Sequence, residues 1–213
     1  MASRVVTRVE KIFRALTASY GKTSLTELTH SNPYTLLVAV VLSAQATDAG
    51  VNRATANLFK VVKSPEDMVK LGFEKLNGYI GTINYHNSKA RHIIALSEKL
   101  IRNFNSTVPN NMKDLISLDG TGRKTANIIL NVVFGIPTIA VDTHVFRTSN
   151  RLALIRADNV LEAERQLLAI VPRKYIRQAN NVLVLFGRYV CRALKPKCDE
   201  CILREYCPYP IKT

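Results

Sequence analysis

Apolar residues recur along most of the chain at the three- and four-residue spacing of amphipathic helices. Near the start, Val5, Val9, Ile12, Phe13 and Leu16 fall on one face of a first helix. No segment shows the strict alternation that predicts a half-buried strand. The pattern therefore predicts an all-α chain.

The segment Tyr34–Ala46 is apolar at most positions, which predicts a helix buried on all sides. Asp48 is suited to cap the next helix, which we expect to run to about Val62. Ser64, followed by Pro65, is typical of another helix start. Further helices are predicted over Asn87–Phe104, Met112–Leu118, Arg123–Phe134, His144–Leu152, Val160–Ile170 and Arg173–Arg188.

The helix over Asn87–Phe104 is amphipathic, and its pattern places Lys89, Arg91 and Lys99 on the outward face. Glycine-containing turns are expected between helices. They are at Gly78, Gly81, Gly120, Gly122 and the Gly-Ile-Pro bend at 135–137. This bend is the best candidate for a domain boundary.

The chain has 213 residues and a formal charge of +14, which indicates a polyanionic partner. Nucleic acid, an acidic membrane surface and a merely solvated basic face remain alternatives at this point. The longest apolar run, Leu36–Leu42, is far shorter than the roughly 20 residues of a membrane-spanning helix. The N-terminus lacks the apolar core of a secretory signal, so we expect a cytoplasmic protein.

The four cysteines are confined to the last 23 residues, in the pattern C-x6-C-x2-C-x5-C. They are Cys191, Cys198, Cys201 and Cys207. Such clustering in a protein of the reducing cytoplasm predicts a metal site rather than disulfides. Zinc usually takes paired C-x2-C knuckles, and only one is present, so the spacing favours a [4Fe–4S] cluster while leaving zinc open.

The segment Leu118–Ala126 joins a short helix to a longer one through the turn Asp-Gly-Thr-Gly. Gly120 and Gly122 allow a tight turn and a close approach to a ligand. The N-terminus of the following helix suits a phosphate group. In so basic a chain, the segment is typical of a helix-hairpin-helix that grips the DNA backbone, although an ordinary inter-helix turn has the same pattern.

Two residues could carry chemistry near this hairpin. Lys124 lies in the first turn of the helix, where the partial positive charge of the helix end and any burial would favour its neutral, nucleophilic amine. A surface lysine touching phosphate is the alternative. Asp142 lies 18 residues further on, at the start of the segment Asp142–Arg147, where it could face the lysine or simply cap the next helix.

Taken together, these motifs resemble the endonuclease III family of DNA glycosylases, and the resemblance covers nearly the whole chain. The matching stretches are LSAQATD (Leu42–Asp48), GRKTAN (Gly122–Asn127), VDTHVFR (Val141–Arg147), GRYVC (Gly187–Cys191) and the four-cysteine tail. The order of hairpin lysine, VDTH and four cysteines is the most specific feature.

The resemblance implies a two-lobed, all-α helix-hairpin-helix glycosylase fold. One lobe would be a six-helix barrel over residues 26–136. The other would combine residues 1–25 with 137–213 and carry a [4Fe–4S] cluster in a C-terminal loop. The implied activity is base excision repair: a bifunctional DNA glycosylase and AP lyase that removes oxidised pyrimidines and nicks the abasic site. We expect a monomer that acts on damaged duplex DNA near the nucleoid and binds no membrane.

The resemblance also assigns roles to individual residues. Lys124 would be the nucleophile, Asp142 the essential carboxylate, and Gln45 the side chain that fills the gap left by an extruded base. Tyr85 occupies the position of a second wedge residue. Phosphate contacts are expected from the hairpin and from the basic loop between the first two cysteines, which also contains Arg192. These contacts are assigned to Gly120, Gly122, Arg123, Thr125, Lys195 and Lys197, and the cluster ligands to Cys191, Cys198, Cys201 and Cys207.

The sequence departs from the family pattern at three places. Asp119 replaces a usual Pro, and its charge would weaken a phosphate contact. Thr121 replaces an apolar residue. The loop 82–87 differs from the usual Gly-Leu-Tyr type. Two alternatives remain: the adenine-excising branch of the same superfamily, which lacks the lysine, and a non-enzymatic DNA-binding or redox-sensing protein.

Overall fold

The computed structural model describes the backbone of residues 2–21 and 25–210, and the side chains from residue 8 onward within those ranges. The described residues form helices and no strand. The helices are α1 (Ala2–Tyr20), α2 (Pro33–Leu42), α3 (Asp48–Val61), α4 (Pro65–Leu71), α5 (Phe73–Tyr79), α6 (His86–Phe104), α7 (Met112–Ser117), α8 (Arg123–Val132), α9 (Thr143–Arg151), α10 (Val160–Ile170) and α11 (Arg173–Tyr189). A single 3₁₀ turn follows at Arg204–Tyr206. The all-α expectation is confirmed.

Helix starts follow local capping chemistry. Ser64 and Asp67 form a reciprocal capping box at α4, as the Ser-Pro pair predicted. The prediction at α3 was wrong by one residue. The side chain of Thr47, not Asp48, accepts a hydrogen bond from the amide of Gly50 at 3.1 Å. Asp48 is instead the first helical residue, where its negative charge suits the positive end of the helix.

Two helix predictions fail around short segments. Helix α2 ends at Leu42 and not at Ala46, because the backbone turns at Ser43, whose amide bonds back to the carbonyls of Ala39 and Val40. Gln45 therefore lies in a loop. Helix α5 was not predicted, and Gly78, read as a turn, lies inside it. A seven-residue helix offers too few positions for a clear period, and a helical glycine reads locally as a breaker.

The chain divides into two compact units, residues 27–134 and residues 1–26 with 135–213. We call them the central and the terminal unit. The central unit contains α2–α8 around one apolar core, to which α2 contributes nearly all of its side chains. Within this core, the hydroxyl of Tyr34 hydrogen-bonds Ser97 at 2.6 Å, which satisfies both buried groups.

The terminal unit has its own core, formed by α1, α9, α10, α11 and the C-terminal loop. Val9, Ile12, Phe13 and Leu16 are buried on one face of α1, as predicted. The side chain of Val5 lies outside the described residues. Helix α11 contacts both α1 and α9. None of the described helices is both long and apolar enough to cross a membrane.

Lys89 corrects another expectation. Its side chain was predicted to point outward, yet it is only 6% exposed and lies beneath the end of α2. Arg91, two residues on, is exposed and lies over the ring of Phe73 at 5.9 Å. Helical periodicity cannot distinguish an outward lysine from one whose ammonium reaches buried carbonyl groups.

Candidate functional site

The hairpin of the central unit connects α7 to α8 through Leu118–Gly122. The amide of Thr121 donates to the carbonyl of Leu118 at 3.1 Å and closes the turn. Gly120 has φ +71°, and a Cβ there would lie 2.9 Å from the Cβ of His92, so only glycine fits. Gly122 caps α8 without a side chain, and a Cβ there would meet nothing within 4 Å. The positive end of α8 therefore opens onto an uncrowded surface that suits a phosphate.

Lys124 is the second residue of α8, next to Arg123, and both side chains are exposed. Burial therefore contributes nothing at Lys124, whose side chain lies on the exposed surface that the sequence left open as an alternative. Of the two effects that favour a neutral amine, only the positive end of the helix remains. Thr125 follows in the same turn and is partly buried.

Thr121 places a hydroxyl in the middle of the hairpin. The residue is 6% exposed, and its Oγ1 atom has no hydrogen-bond partner. A buried polar group without a partner destabilises the folded state. An apolar side chain was the expectation at this position, and the buried hydroxyl without a partner gives a physical reason for it.

Gln45 and Tyr85 lie in two neighbouring loops of the central unit. Both have left-handed backbones, with φ of +53° and +59°. Both side chains are exposed, Tyr85 by 66%. The side-chain amide of Asn84 donates to the backbone carbonyl of Gln45 at 3.2 Å and joins the loops. Left-handed non-glycine residues are uncommon and concentrate at functional sites.

Asp142 lies in the terminal unit, at the N-terminus of α9. Its Oδ1 atom accepts a hydrogen bond from the amide of Val145 at 2.8 Å, so the residue does cap the helix. The carboxylate is partly buried. Capping fixes its orientation and does not exclude a second role, because a carboxylate has two oxygen atoms and several acceptor positions.

Behind Asp142, the side chain of Arg147 ties α9 to the end of α11. It donates to the carbonyls of Gly187 at 2.8 Å and Cys191 at 3.1 Å, and contacts Nδ1 of His144 at 3.3 Å. Burial lowers the pKa of Arg147, while the charges of Cys191 and Asp142 oppose that shift. Arg147 and His144 thus make structural contacts in this unit.

The four cysteines line one cavity of about 210 Å³ beyond the end of α11. Burial raises the pKa of Cys201 and of Cys207, and repulsion from the other thiolates adds to the effect. A cationic metal core would offset this repulsion. Across the described ranges, no three His, Cys, Asp or Glu side chains are arranged for a single metal ion. A cavity walled by four thiols fits a larger iron–sulfur cluster.

Hydrogen-bond donors also approach these sulfur atoms. The amide of Leu203 lies 3.4 Å from Sγ of Cys201, and the guanidinium of Arg151 lies 3.7 Å from Sγ of Cys191. Such donors stabilise thiolate ligands. On the other side, Arg8 of α1 donates to the carbonyls of Tyr206 and Leu152 and fastens the C-terminal loop to the first helix.

The basic loop between Cys191 and Cys198 is exposed at Arg192, Lys195 and Lys197. The guanidinium of Arg192 donates to the carbonyl of Lys195 at 3.3 Å, and Lys195 has φ +48°. Lys197 lies 3.4 Å from the carboxylate of Glu200, a solvated pair that holds the ammonium weakly. The structure therefore presents these cations to solvent on a folded loop.

The sequence analysis missed the structural roles of Lys89 and Gly187. For Lys89, the sequence carried no signal of this role beyond the charge of the side chain. Gly187 lies within α11, where a Cβ would come 3.0 Å from the Cβ of His144 and the Cγ2 of Thr148. The glycine of GRYVC therefore allows α9 and α11 to pack closely, and a glycine inside a helical pattern was the available signal.

Comparison with known proteins gives the same picture along the chain. A family described as "HhH-GPD superfamily base excision DNA repair protein" matches residues 38–173, and "Iron-sulfur binding domain of endonuclease III" matches residues 191–207. The chain is 48% identical to endonuclease III of Rickettsia conorii, with 98% of each chain covered. It is 48% identical to endonuclease III of Escherichia coli K12, covering 88% of this chain and 89% of that one.

The fold is similar to the solved structure of a trapped endonuclease III–DNA covalent intermediate, an estranged-adenine complex. The TM-score is 0.89 and the sequence identity 40%, with 95% of each chain covered. The family match covers more than half of this chain, and its relatives are similar over almost their full length. The chain therefore belongs to the endonuclease III family of the HhH-GPD superfamily of base excision DNA repair proteins.

Proposed function

We propose that this member of the endonuclease III family removes oxidised pyrimidines from duplex DNA with Lys124 as nucleophile and Asp142 as the stabilising carboxylate. The protein is a DNA glycosylase with AP lyase activity. The observation that supports the residue assignment is the position of Lys124: its side chain is exposed on the first turn of α8, directly after Gly122, where a Cβ would meet nothing within 4 Å.

The reaction begins when the damaged nucleotide leaves the base stack, since its glycosidic bond is unreachable inside a duplex. Gln45 and Tyr85 enter the space left behind, and the Gln45 amide can pair with the opposite base. Positive charge develops on the sugar as the base departs with the bonding electrons. The Asp142 carboxylate stabilises that charge, in a position fixed by its bond to Val145.

Lys124 then supplies covalent catalysis. Its amine nitrogen forms a bond to C1′, and opening of the sugar ring gives an iminium, the Schiff base. The iminium accepts the electrons of the C2′–H bond when that proton is removed. The 3′ phosphate leaves by β-elimination, which nicks the strand, and water later releases Lys124.

We assign the ligands of the [4Fe–4S] cluster to Cys191, Cys198, Cys201 and Cys207. When bound, the cluster offers structural support rather than a site for substrate, because all four ligands come from the protein. The loop it anchors carries Arg192, Lys195 and Lys197, which we assign to phosphate contacts together with Gly120, Gly122, Arg123 and Thr125.

Borohydride trapping tests the assignment of Lys124. The wild-type chain should give a covalent adduct with an abasic duplex, and Lys124→Ala should give none while retaining its fold and duplex binding. Arg123→Ala is the neighbouring control and should weaken binding but still trap. An undiminished adduct with Lys124→Ala would remove this residue from the mechanism.

Iron analysis tests the ligand set. The purified protein should be yellow-brown and hold about four irons per chain, as a [4Fe–4S] cluster requires. Cys198→Ser should lose iron and duplex affinity together. A colourless protein with one zinc would refute the cluster.

The place of action follows from the substrate. We propose that the protein works as a cytoplasmic, nucleoid-associated monomer. Sedimentation at the mass of one chain, alone and with a short duplex, would support this, and a stable dimer would contradict it.

A further inference from the structure

Two loops of the central unit each place one exposed residue in a left-handed conformation. Gln45 follows α2, and Tyr85 precedes α6. This backbone conformation is strained for a non-glycine residue and persists only where its surroundings hold it there. The contacts that hold these two loops are therefore part of how the pair is presented.

The first contact is made by the buried side chain of Lys89. The Nζ atom of Lys89, on the second turn of α6, donates to the carbonyls of Leu42 at 2.8 Å and Ala44 at 2.5 Å. The carbonyl of Leu42 lies at the end of α2, where backbone acceptors have no helical partner, and that of Ala44 lies in the turn that follows. Burial lowers the pKa of Lys89, since the ammonium gives up water for these two carbonyl groups. A buried cation thus anchors the chain just before Gln45.

The second contact is made by the side chain of Asn84. Asn84 precedes Tyr85, and its side-chain amide donates to the carbonyl of Gln45 itself. Asn84 is exposed, so the bond is weaker than those of Lys89, but it joins the residue before one wedge to the backbone of the other. Both contacts therefore run from the start of α6 to the loop after α2.

We infer that Lys89 and Asn84 are positioning residues that lock the Gln45 loop to the start of α6, so that Gln45 and Tyr85 enter DNA as one preformed unit. The inference rests on the proposed function of these two side chains. Its physical basis is preorganisation: loops already held in the inserted conformation lose less entropy when they replace an extruded base. The proposed mechanism assigns neither residue to the reacting atoms.

The test compares two substrates under single-turnover conditions. To excise a damaged base, the protein must first unstack it, and Gln45 and Tyr85 must fill the space left behind. A preformed abasic site has already lost its base, so it depends less on these two side chains. Asn84→Ala should slow base excision about 2- to 10-fold, and Lys89→Met about 10- to 100-fold, from the strength of neutral and charged hydrogen bonds. Borohydride trapping at a preformed abasic site should change less than about twofold for Asn84→Ala.

A fluorescent readout follows the wedge directly. With 2-aminopurine opposite the lesion, binding of wild-type protein should raise the emission as the orphaned base unstacks. Asn84→Ala should reduce that rise. Asn57→Ala, which removes an equally exposed asparagine from α3, is the matched control and should leave it unchanged.

A double substitution identifies the route of the effect. In a Gln45→Ala background, Asn84→Ala should cause a smaller further loss of excision than it causes alone, because much of its action passes through Gln45. Equal losses on both substrates, or additive losses in the double variant, would overturn the inference even if Lys89→Met fails to fold. A wild-type protein that neither excises nor traps would instead refute the proposed function.

Discussion

A single residue can have both a structural and a catalytic role, and Asp142 is an example. Its Oδ1 atom caps α9, while we assign the same carboxylate to stabilisation of the sugar cation. A cap and a catalytic charge make different demands, because a neutral amide oxygen caps a helix as well as a carboxylate does. The two roles can therefore be separated by choice of substitution.

Asp142→Asn should keep thermal stability near wild type and reduce base excision by about 10²- to 10³-fold, the usual cost of losing one stabilising group. Asp142→Ala should lose the cap as well, which should lower the free energy of unfolding by about 1 kcal/mol. Melting curves and single-turnover excision measure both. Near-normal excision by the Asn variant would leave Asp142 as a cap alone.

The hydroxyl of Thr121, by contrast, makes no hydrogen bond, and its burial destabilises the folded state. Thr121→Val keeps the shape and should raise the free energy of unfolding by about 1 kcal/mol. Denaturant unfolding provides the measurement. Thr55→Val is the control: it is equally buried in the same unit, but its hydroxyl donates to the carbonyl of Val51 at 2.9 Å, so the variant should gain nothing. Equal gains in both would refute the argument.

At the scale of elements, function depends on how closely pairs of helices and loops approach. The α9–α11 pair brings Asp142 and the first cluster cysteine into one packed region through Arg147. That region depends on Gly187, because a Cβ there would lie 3.0 Å from side-chain atoms of His144 and Thr148, closer than ordinary van der Waals contact. The hairpin depends on Gly120 in the same way.

Gly187→Ala should push α9 and α11 apart and lower the free energy of unfolding by about 1–3 kcal/mol, the usual range for overpacking. Gly78→Ala makes the same change inside α5, where a Cβ meets nothing within 4 Å. That control should stabilise the protein by up to about 1 kcal/mol, because alanine is the better helix former. If both variants lose stability equally, the close approach of α9 and α11 is not the cause.

At the scale of the whole molecule, the formal charge of +14 favours binding to DNA, which is the substrate of the glycosylase reaction. Affinity for undamaged duplex should fall steeply with salt, because each phosphate contact releases a condensed cation. The exposed loop lysines 195 and 197 belong to this effect on our assignment. Their contribution can be measured without reference to catalysis.

Replacing Lys195 and Lys197 together by Ala should flatten the slope of log affinity against log salt by about two units, if each meets one phosphate. Arg165 and Lys174 provide a charge-matched control, since both pair with glutamates in the terminal unit, at 2.7 and 2.5 Å. Their double Ala variant should leave the slope nearly unchanged. A slope that does not respond to the loop lysines would make them a solvated face.

The sequence by itself determined most of the helices, the cap of α4, the cysteine pattern and the family. These depend on periods, capping residues and spacings of a few residues, which act locally. Only the tertiary structure decided that Lys89 is buried, that Lys124 is exposed and that Gln45 is a loop residue with a left-handed backbone. Each depends on a partner distant in the chain, as when Lys89 bonds to Leu42. A local pattern carries no information about such a partner, because burial and backbone strain are set by packing between elements.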